Sequence, residues 1–224
     1  MPRVCVFDVN ETLLDLAAMD ELFKDAFGDP SIRRQWFARM LELAFVHTIT
    51  GEYQDFPALG RAALQNVATV RGVNLRDEDR DRILAKMRAL PAHPDVKPAL
   101  DRLRERGIRL ATLTNSPLAV VEAQLSFAGI RSYFEQVLSA DEVRSLKPAP
   151  EPYHMAAQRL GVPVGQIMLI AAHSWDVSGA LSAGCGSALV TRPGVVHDPL
   201  ARQPEITAPD LVATAEAFLR VEQA

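Results

Sequence analysis

The sequence predicts an α/β fold, a doubly wound and mostly parallel Rossmann-like sheet core with an inserted α-helical cap domain. Three observations predict it. Short apolar runs alternate with longer helical patterns, as in successive βαβ units. One long segment near the N-terminus contains helical patterns and no strand. Finally, 224 residues exceed an average domain of roughly 150 residues by about half, which favours one core with a smaller insertion.

The predicted strands are short apolar runs bounded by charged or turn-forming residues. Continuous apolar runs of this length, without polar alternation, are typical of parallel strands that are buried on both faces. They lie at Val4–Phe7, 109–113, Gln136–Ser139, 167–172 and 187–191.

Helical patterns separate these strands. Gly107 and Gly129 each follow such a pattern, and glycine is a common helix stop because it adopts left-handed backbone conformations easily. The predicted core helices are 96–106, 118–128, 151–160, 177–183 and 210–220.

The segment after the first strand contains only helical patterns. Asp77 and Glu78 begin the last of them and basic residues end it, as the helix dipole favours. The predicted helices are 16–27, 32–49, 56–70 and 77–89. We therefore predict a core of residues 1–14 plus 93–224 and a helical cap of residues 15–92.

Composition excludes several classes of protein. With 24 basic and 28 acidic residues the net charge is −4, and no long basic run predicts binding to nucleic acid or to a membrane surface. No apolar stretch reaches the ~18 residues of a membrane span, and Asp8 comes too early for a signal peptide. Cys5 and Cys185 have no metal-binding or redox spacing, which favours free thiols and a cytoplasmic location.

Polar side chains follow four of the predicted strands at their carboxyl ends. Ligands of open α/β sheets bind at this edge, so we expect these side chains to form one site. A single aspartate after a strand is more often a turn former or a helix cap, but the four strand ends taken together favour a site. The residues are Asp8, Asn10 and Thr12 after the first strand, Thr114 and Asn115 after the second, Lys147 after the third, and His173 and Asp176 after the fourth.

The order Asp8-x-x-x-Thr12, then Thr114-Asn115, then Lys147-Pro148, then Asp176 resembles the haloacid dehalogenase superfamily. Residues 7–15 and 172–176, and Tyr153 six residues after the lysine, are similar to its L-2-haloacid dehalogenase branch. The resemblance covers nearly the whole chain. It implies hydrolysis of short 2-haloalkanoic acids, such as haloacetate and 2-halopropionate, to 2-hydroxy acids without metal or cofactor, and it is compatible with a homodimer.

The resemblance also implies roles for individual residues. Asp8 would displace the halide and form an aspartyl ester, which water then hydrolyses. Lys147 would balance the charge of Asp8, and Asp176 would anchor Lys147. Thr12 would donate a hydrogen bond to the ester oxygen when it becomes an oxyanion. The expected substrate-binding residues are Asn10, Trp36, Phe37, Arg39, Thr114, Asn115 and Tyr153.

Two alternatives remain open, a phosphatase of the same superfamily and a non-catalytic protein that binds a small carboxylate. Such phosphatases resemble Asp-x-Asp-x-Thr, in which the second aspartate protonates the leaving alkoxide. Here that position is Asn10, whose amide transfers no proton near neutral pH. The acid expected four residues before Asp176 is Ala172, which weakens a Mg²⁺ site. A halide leaves without a proton, so these residues favour dehalogenation.

The fourth strand end departs from the dehalogenase pattern. The family commonly has serine and asparagine where this chain has Ala171 and His173. An imidazole titrates near neutral pH, so His173 could take the proton of the hydrolytic water. The alternative is that it only forms a hydrogen bond with Asp176.

The cap contains another departure. The family pattern there resembles Trp-Arg followed shortly by Leu-Glu, the arginine receiving the halide, whereas this chain has Trp36-Phe37 with Arg39 two residues on. Two helical residues correspond to a rotation of about 200°, so Phe37 and Arg39 face different directions. Either Arg39 binds the halide in another register, or Phe37 lines a smaller and less charged pocket. The second alternative leads to the hypothesis that fluoroacetate is also a substrate.

Overall fold

A computed structural model of the protein describes residues 3–223. Six strands form one parallel sheet in the order β3-β2-β1-β4-β5-β6. The strand order reverses between β1 and β4, where doubly wound sheets bind their ligands. The predicted fold class is confirmed. The strands are β1 Val4–Phe7, β2 Leu110–Thr114, β3 Gln136–Ser139, β4 Ile167–Ala171, β5 Gly186–Val190 and β6 Ile206–Ala208.

Helices cover both faces of the sheet and fill the insertion after β1. Across residues 3–223, no helix is both long enough and apolar enough to cross a membrane. The insertion contributes α1 Asp20–Phe27, α2 Ile32–Thr50, α3 Phe56–Arg71 and α4 Asp77–Lys86. The helices of the core are α5 Val96–Glu105, α6 Leu118–Phe127, α7 Pro150–Leu160, α8 Ser174–Ala183 and α9 Leu211–Gln223.

The central strand β1 is buried on both faces because its side chains alternate between two apolar clusters. Cys5 and Phe7 pack in the cluster that includes residues of α5, α6 and α9. Val4 and Val6 point the other way and pack with residues of α7 and α8. This burial places Asp8, which follows β1 directly, at the middle of the carboxyl edge of the sheet.

The two ends of the helical insertion lie side by side next to Asp8. The amide of Asp15 donates to the carbonyl of Pro91 at 2.9 Å, and the amide of His93 donates to that of Leu13 at 2.9 Å. The insertion therefore leaves and rejoins the core at one place, beside the carboxyl end of β1.

The structure differs from the predicted elements at several ends. α8 begins at Ser174 and not at residue 177, so Asp176 lies in its first turn. Leu16–Met19 is a separate 3₁₀ helix before α1. β6 was not predicted, because a three-residue edge strand beside Pro209 is too short to show an apolar pattern. Residues 1, 2 and 224 of the predicted core lie outside the described residues.

Candidate active site

Three buried charged side chains meet at the carboxyl end of β1. The Nζ of Lys147 lies 3.0 Å from Asp8 Oδ1, 2.5 Å from Asp176 Oδ2 and 2.8 Å from the carbonyl oxygen of Leu113. An ammonium has three N–H groups, so each has an acceptor here. Burial acts to lower the pKa of Lys147, but the charges of Asp176 and Asp8 raise it above its ordinary value. The lysine is therefore a fixed cation that holds Asp8 in one orientation.

Asp8 is a carboxylate at neutral pH despite its burial. Burial acts to raise its pKa, but the charge of Lys147 and the hydrogen bonds from His173 and Thr12 outweigh burial and leave the pKa below its usual range. The Thr12 hydroxyl donates to Asp8 Oδ2 at 2.7 Å and accepts from the amide of Ala172 at 2.9 Å. An ionised, oriented carboxylate is the state that a nucleophilic aspartate requires.

His173 lies between two carboxylates. Its Nδ1 is 3.2 Å from Asp8 Oδ2, and its Nε2 is 3.0 Å from Glu11 Oε2. Burial acts to lower the pKa of His173, but the hydrogen bonds to Asp8 and Glu11 raise it to about 9. At neutral pH the ring is therefore an imidazolium that donates from both nitrogens. Of the two alternatives for His173, the hydrogen bond with Asp176 is not formed, since the ring nitrogens contact Asp8 and Glu11 instead.

Tyr153 lies behind Asp176 rather than at the cavity. The sequence predicts Tyr153 among the substrate-binding residues, but the side chain is buried and its hydroxyl donates to Asp176 Oδ1 at 2.6 Å. Asp176 also lies in the first turn of α8, where the helix dipole favours a carboxylate. The geometry makes Tyr153 a support for Asp176.

The two asparagines at the strand ends are engaged by the protein itself. Asn115 donates to the carbonyl of Lys147 at 3.2 Å and accepts from its amide at 2.8 Å. Asn10 donates to the hydroxyl of Ser116 at 3.3 Å and accepts from Gln124 at 3.0 Å. Both residues line the cavity, but their amide groups hold loops in place.

A small cavity of about 10 Å³ lies against Asp8, between the core and the cap. Such a volume holds roughly one water molecule. Trp175 lies on the core side, and its buried indole N–H has no hydrogen-bond partner among the described residues. The cap contributes Phe37, Leu41 and Phe56, and the core contributes Asp8, Asn10, Thr114, Asn115, Lys147, His173 and Trp175.

The structure distinguishes the two cap alternatives. Phe37 lines the cavity, and its ring centroid is 6.0 Å from that of His173. Arg39 points elsewhere, 40% exposed and paired with a glutamate on its own helix. This follows from the rotation of a helix over two residues. Trp36 is not at the cavity either, because it is buried within the cap and donates to the carbonyl of Gly60 at 2.8 Å.

Sequence reasoning gave no role to two residues of the site, Glu11 and Trp175. Glu11 appeared only as a spacer between Asp8 and Thr12. The sequence feature that could have revealed it is an acid after the first strand combined with a histidine after the fourth, since these two side chains can form an ion pair. These two strands are neighbours in the sheet, and their ends meet.

Comparisons with known proteins agree with this geometry. Residues 2–184 match a family model described as a haloacid dehalogenase-like hydrolase. The chain is 30% identical over 196 residues to (S)-2-haloacid dehalogenase 4A of Burkholderia cepacia, and the alignment covers 86% of this chain and 84% of the relative. It is 29% identical over 205 residues to haloacetate dehalogenase H-2 of Moraxella sp. (strain B), with coverage of 91% and 92%. The crystal structure of the L-2-haloacid dehalogenase RSc1362 superposes with a TM-score of 0.91 at 27% identity, covering 100% of this chain and 99% of that one.

Proposed function

Because this chain belongs to the haloacid dehalogenase-like hydrolase family, we propose that it hydrolyses short 2-haloalkanoic acids to 2-hydroxy acids. One observation carries the proposal. The ionised Asp8, 3.0 Å from the buried ammonium of Lys147, faces a small cavity between the core and the cap. The names of the two relatives, (S)-2-haloacid dehalogenase and haloacetate dehalogenase, indicate the same substrate class. The proposed partner is therefore the small-molecule haloacid itself.

In the first step, a carboxylate oxygen of Asp8 attacks the halogen-bearing carbon from the side opposite the halogen. The carbon–halogen bond breaks, and Asp8 becomes an ester of the alkanoic acid. The halide leaves as a weak base and needs no proton. This agrees with Asn10, which replaces the aspartate that protonates the leaving group in phosphatases of the superfamily. We assign the indole N–H of Trp175, which has no hydrogen-bond partner within residues 3–223, as a donor to the halide or to the substrate carboxylate.

In the second step, water attacks the ester carbonyl carbon of Asp8. The bond between that carbon and the product oxygen breaks, the hydroxy acid departs, and the carboxylate is restored. Thr12 and Lys147 lie beside the carboxyl oxygens and stabilise the oxyanion that forms. We assign His173 as the base for this step: once the ring has lost a proton, its Nδ1, 3.2 Å from Asp8 Oδ2, takes a proton from the water.

The cavity favours the shortest substrates. Its volume of about 10 Å³ holds roughly one water molecule, so side chains of the apolar cap wall of Phe37, Leu41 and Phe56 must move for any haloacid to bind, and least for a two-carbon acid. A 2-halopropionate adds a methyl group that would displace one of these side chains. We therefore propose haloacetates as preferred substrates, including fluoroacetate, whose halogen is the smallest.

The phosphatase alternative has less support. The amide of Asn10 is held by Ser116 and Gln124 and supplies no proton to a leaving alkoxide. Within residues 3–223, no group of three His, Cys, Asp or Glu side chains is arranged to hold a metal ion. The non-catalytic alternative leaves unexplained why Asp8, Lys147 and Asp176 form a connected buried network.

Three further proposals concern the whole molecule. We propose that the core spans residues 1–14 plus 93–224 and the cap residues 15–92, supported by the backbone hydrogen bonds that join residues 13–15 to 91–93. A cytoplasmic location is proposed on the basis of two free, buried cysteines, Cys5 and Cys185. A homodimer is proposed from the family likeness, and light scattering of the purified protein tests it.

Halide release tests the proposed function. The substrates are fluoro-, chloro- and bromoacetate and both enantiomers of 2-chloropropionate, each with and without EDTA. We expect halide and glycolate from the haloacetates in both conditions. Asp8→Asn should abolish turnover, whereas Asp25→Asn, at an exposed position on α1, should not. Hydrolysis of para-nitrophenyl phosphate stimulated by Mg²⁺, without halide release from any haloacid, would contradict the proposal.

A further inference from the structure

Glu11 has an unusual backbone conformation for its residue type. Its φ is 61°, in the left-handed region, within the loop that follows β1. A side chain at such a position crowds the backbone, whereas glycine adopts the conformation freely. Strain of this kind persists where the surrounding structure enforces it, and it concentrates at functional sites. The conformation of Glu11 therefore points to a role for its carboxylate.

The carboxylate of Glu11 is held between two cationic side chains. Its Oε2 lies 3.0 Å from Nε2 of His173, and its Oε1 lies 3.4 Å from Nη1 of Arg33 on α2. The carbonyl oxygen of Glu11 is also 3.2 Å from Nε2 of His93. The side chain is therefore fixed from both the core and the cap, and it points at the ring of His173.

The contacts form a chain from Glu11 through His173 to Asp8. When an imidazole donates from one nitrogen to a carboxylate, that carboxylate determines which nitrogen keeps the proton in the neutral ring. Glu11 accepts from Nε2, so a neutral His173 would keep its proton there. The lone pair would then lie on Nδ1, which is 3.2 Å from the carboxyl group of Asp8.

The charge of Asp8 changes during the proposed reaction. The carboxylate is anionic in the resting enzyme, and it loses its charge when it becomes an ester. Two anions raise the pKa of His173 in the resting enzyme, so loss of one of them weakens the hold of the imidazole on its proton. The reaction does not alter the charges of the other titratable or charged groups around Glu11 and His173, which are Asp15, Asp20, Arg33, Arg34, His93, Lys147 and Arg192.

We propose that Glu11 is a positioning residue for ester hydrolysis: it holds His173 so that esterification of Asp8 converts this histidine from a cation into the base for water. The inference rests on the proposed function. After the halide leaves, the imidazolium releases one proton to solvent. Nδ1 then takes one proton of the water as its oxygen bonds to the carbonyl carbon of Asp8. The bond from that carbon to the product oxygen breaks, and the product alkoxide takes the second proton, which restores the Asp8 carboxylate and the imidazolium.

Single-turnover kinetics with chloroacetate, acid quenching and intact-mass measurement test the inference, because they separate formation of the ester from its hydrolysis. In Glu11→Gln, ester formation should be unchanged, and hydrolysis should slow by at least about tenfold, so that the ester accumulates. The pH at which hydrolysis reaches half of its maximum should move lower, because glutamine does not stabilise the imidazolium. Glu21→Gln, at an exposed position on α1, is the matched control and should leave both steps and the pH profile unchanged.

Glu11→Gly separates positioning from a merely structural role. Glycine removes the backbone strain together with the carboxylate, whereas glutamine removes only the charge. Both variants should accumulate the ester, although loss of the contacts with His173 and Arg33 should lower the unfolding temperature of Glu11→Gly. Hydrolysis at the wild-type rate and pH profile in both variants would overturn the inference, as would equal slowing of ester formation and ester hydrolysis. Failure of the wild type to form any ester or release any halide would instead overturn the proposed function.

Discussion

The ring of Phe37, on cap helix α2, lies 6.0 Å from the imidazole of His173, which immediately precedes core helix α8. The dehalogenase pattern that the chain resembles has an arginine at the first position and an asparagine at the second. In that pattern the cap adds a cation to the one supplied by the lysine of the core, and here the second cation is the imidazolium of His173, which also belongs to the core. An arginine and an imidazolium at these two neighbouring, largely buried positions would repel each other. We therefore expect the effect of a substitution at position 37 to depend on which residue occupies position 173.

A double-mutant cycle measures this dependence. Phe37→Arg alone should lower kcat/KM for chloroacetate by at least about tenfold, because it buries a second cation beside the imidazolium. His173→Asn alone should also lower it. The double variant should lose less than the product of the two single effects, since an asparagine removes the repulsion. Independent, multiplicative effects would show that the two positions are not coupled.

Arg39 is expected to contribute nothing to catalysis. Its guanidinium pairs with Glu42 at 2.7 Å, and both side chains are exposed, at 40% and 60%. Arg39→Ala should leave kcat and KM for chloroacetate unchanged and alter the free energy of unfolding by less than about 0.5 kcal/mol. A raised KM would show that Arg39 does bind the halide and that α2 rotates when substrate binds.

His173 should make stability depend on pH above neutrality. Its pKa of about 9 in the folded protein exceeds the ordinary 6.5, so its contribution is complete below about pH 6.5 and is lost as the pH rises through 9. The loss should amount to about 3 kcal/mol of the free energy of unfolding. Urea unfolding of the wild type and of His173→Gln between pH 6 and 10 measures it as the difference between the two proteins. A difference that stays constant over this range would show that the ring is neutral in the folded state.

Tyr153 should affect turnover and not substrate binding. Tyr153→Phe removes the 2.6 Å hydrogen bond to Asp176 but touches nothing in the cavity, so kcat should fall while KM stays unchanged. The loss of a buried hydrogen bond to a charged acceptor should also lower the free energy of unfolding by about 2 kcal/mol. Tyr133→Phe is the matched control, because that hydroxyl bonds the exposed Asp101. A raised KM with unchanged kcat would support the original assignment of Tyr153 to substrate binding.

The geometry of the strand ends could be predicted because it depends on connectivity alone. Parallel strands carry their carboxyl ends to one edge, so the residues that follow them meet there whatever the details of packing. Asp8, Thr12, Lys147 and Asp176 do meet, and Lys147 bonds both aspartates. Side-chain direction is different, since it depends on helix rotation and on competing partners. Asn115 illustrates this, because its amide makes one donated and one accepted hydrogen bond with the backbone of Lys147.

By itself, the sequence determined the α/β class, the position of the helical insertion and the strand-end residues, because hydrophobic periodicity and chain order encode these features locally. Only the tertiary structure decided that Phe37 rather than Arg39 faces the nucleophile, and that Glu11 meets His173 across neighbouring strand ends. These relations join residues far apart in the chain. Their charges, burial and distances exist only once the cap has closed over the edge of the sheet.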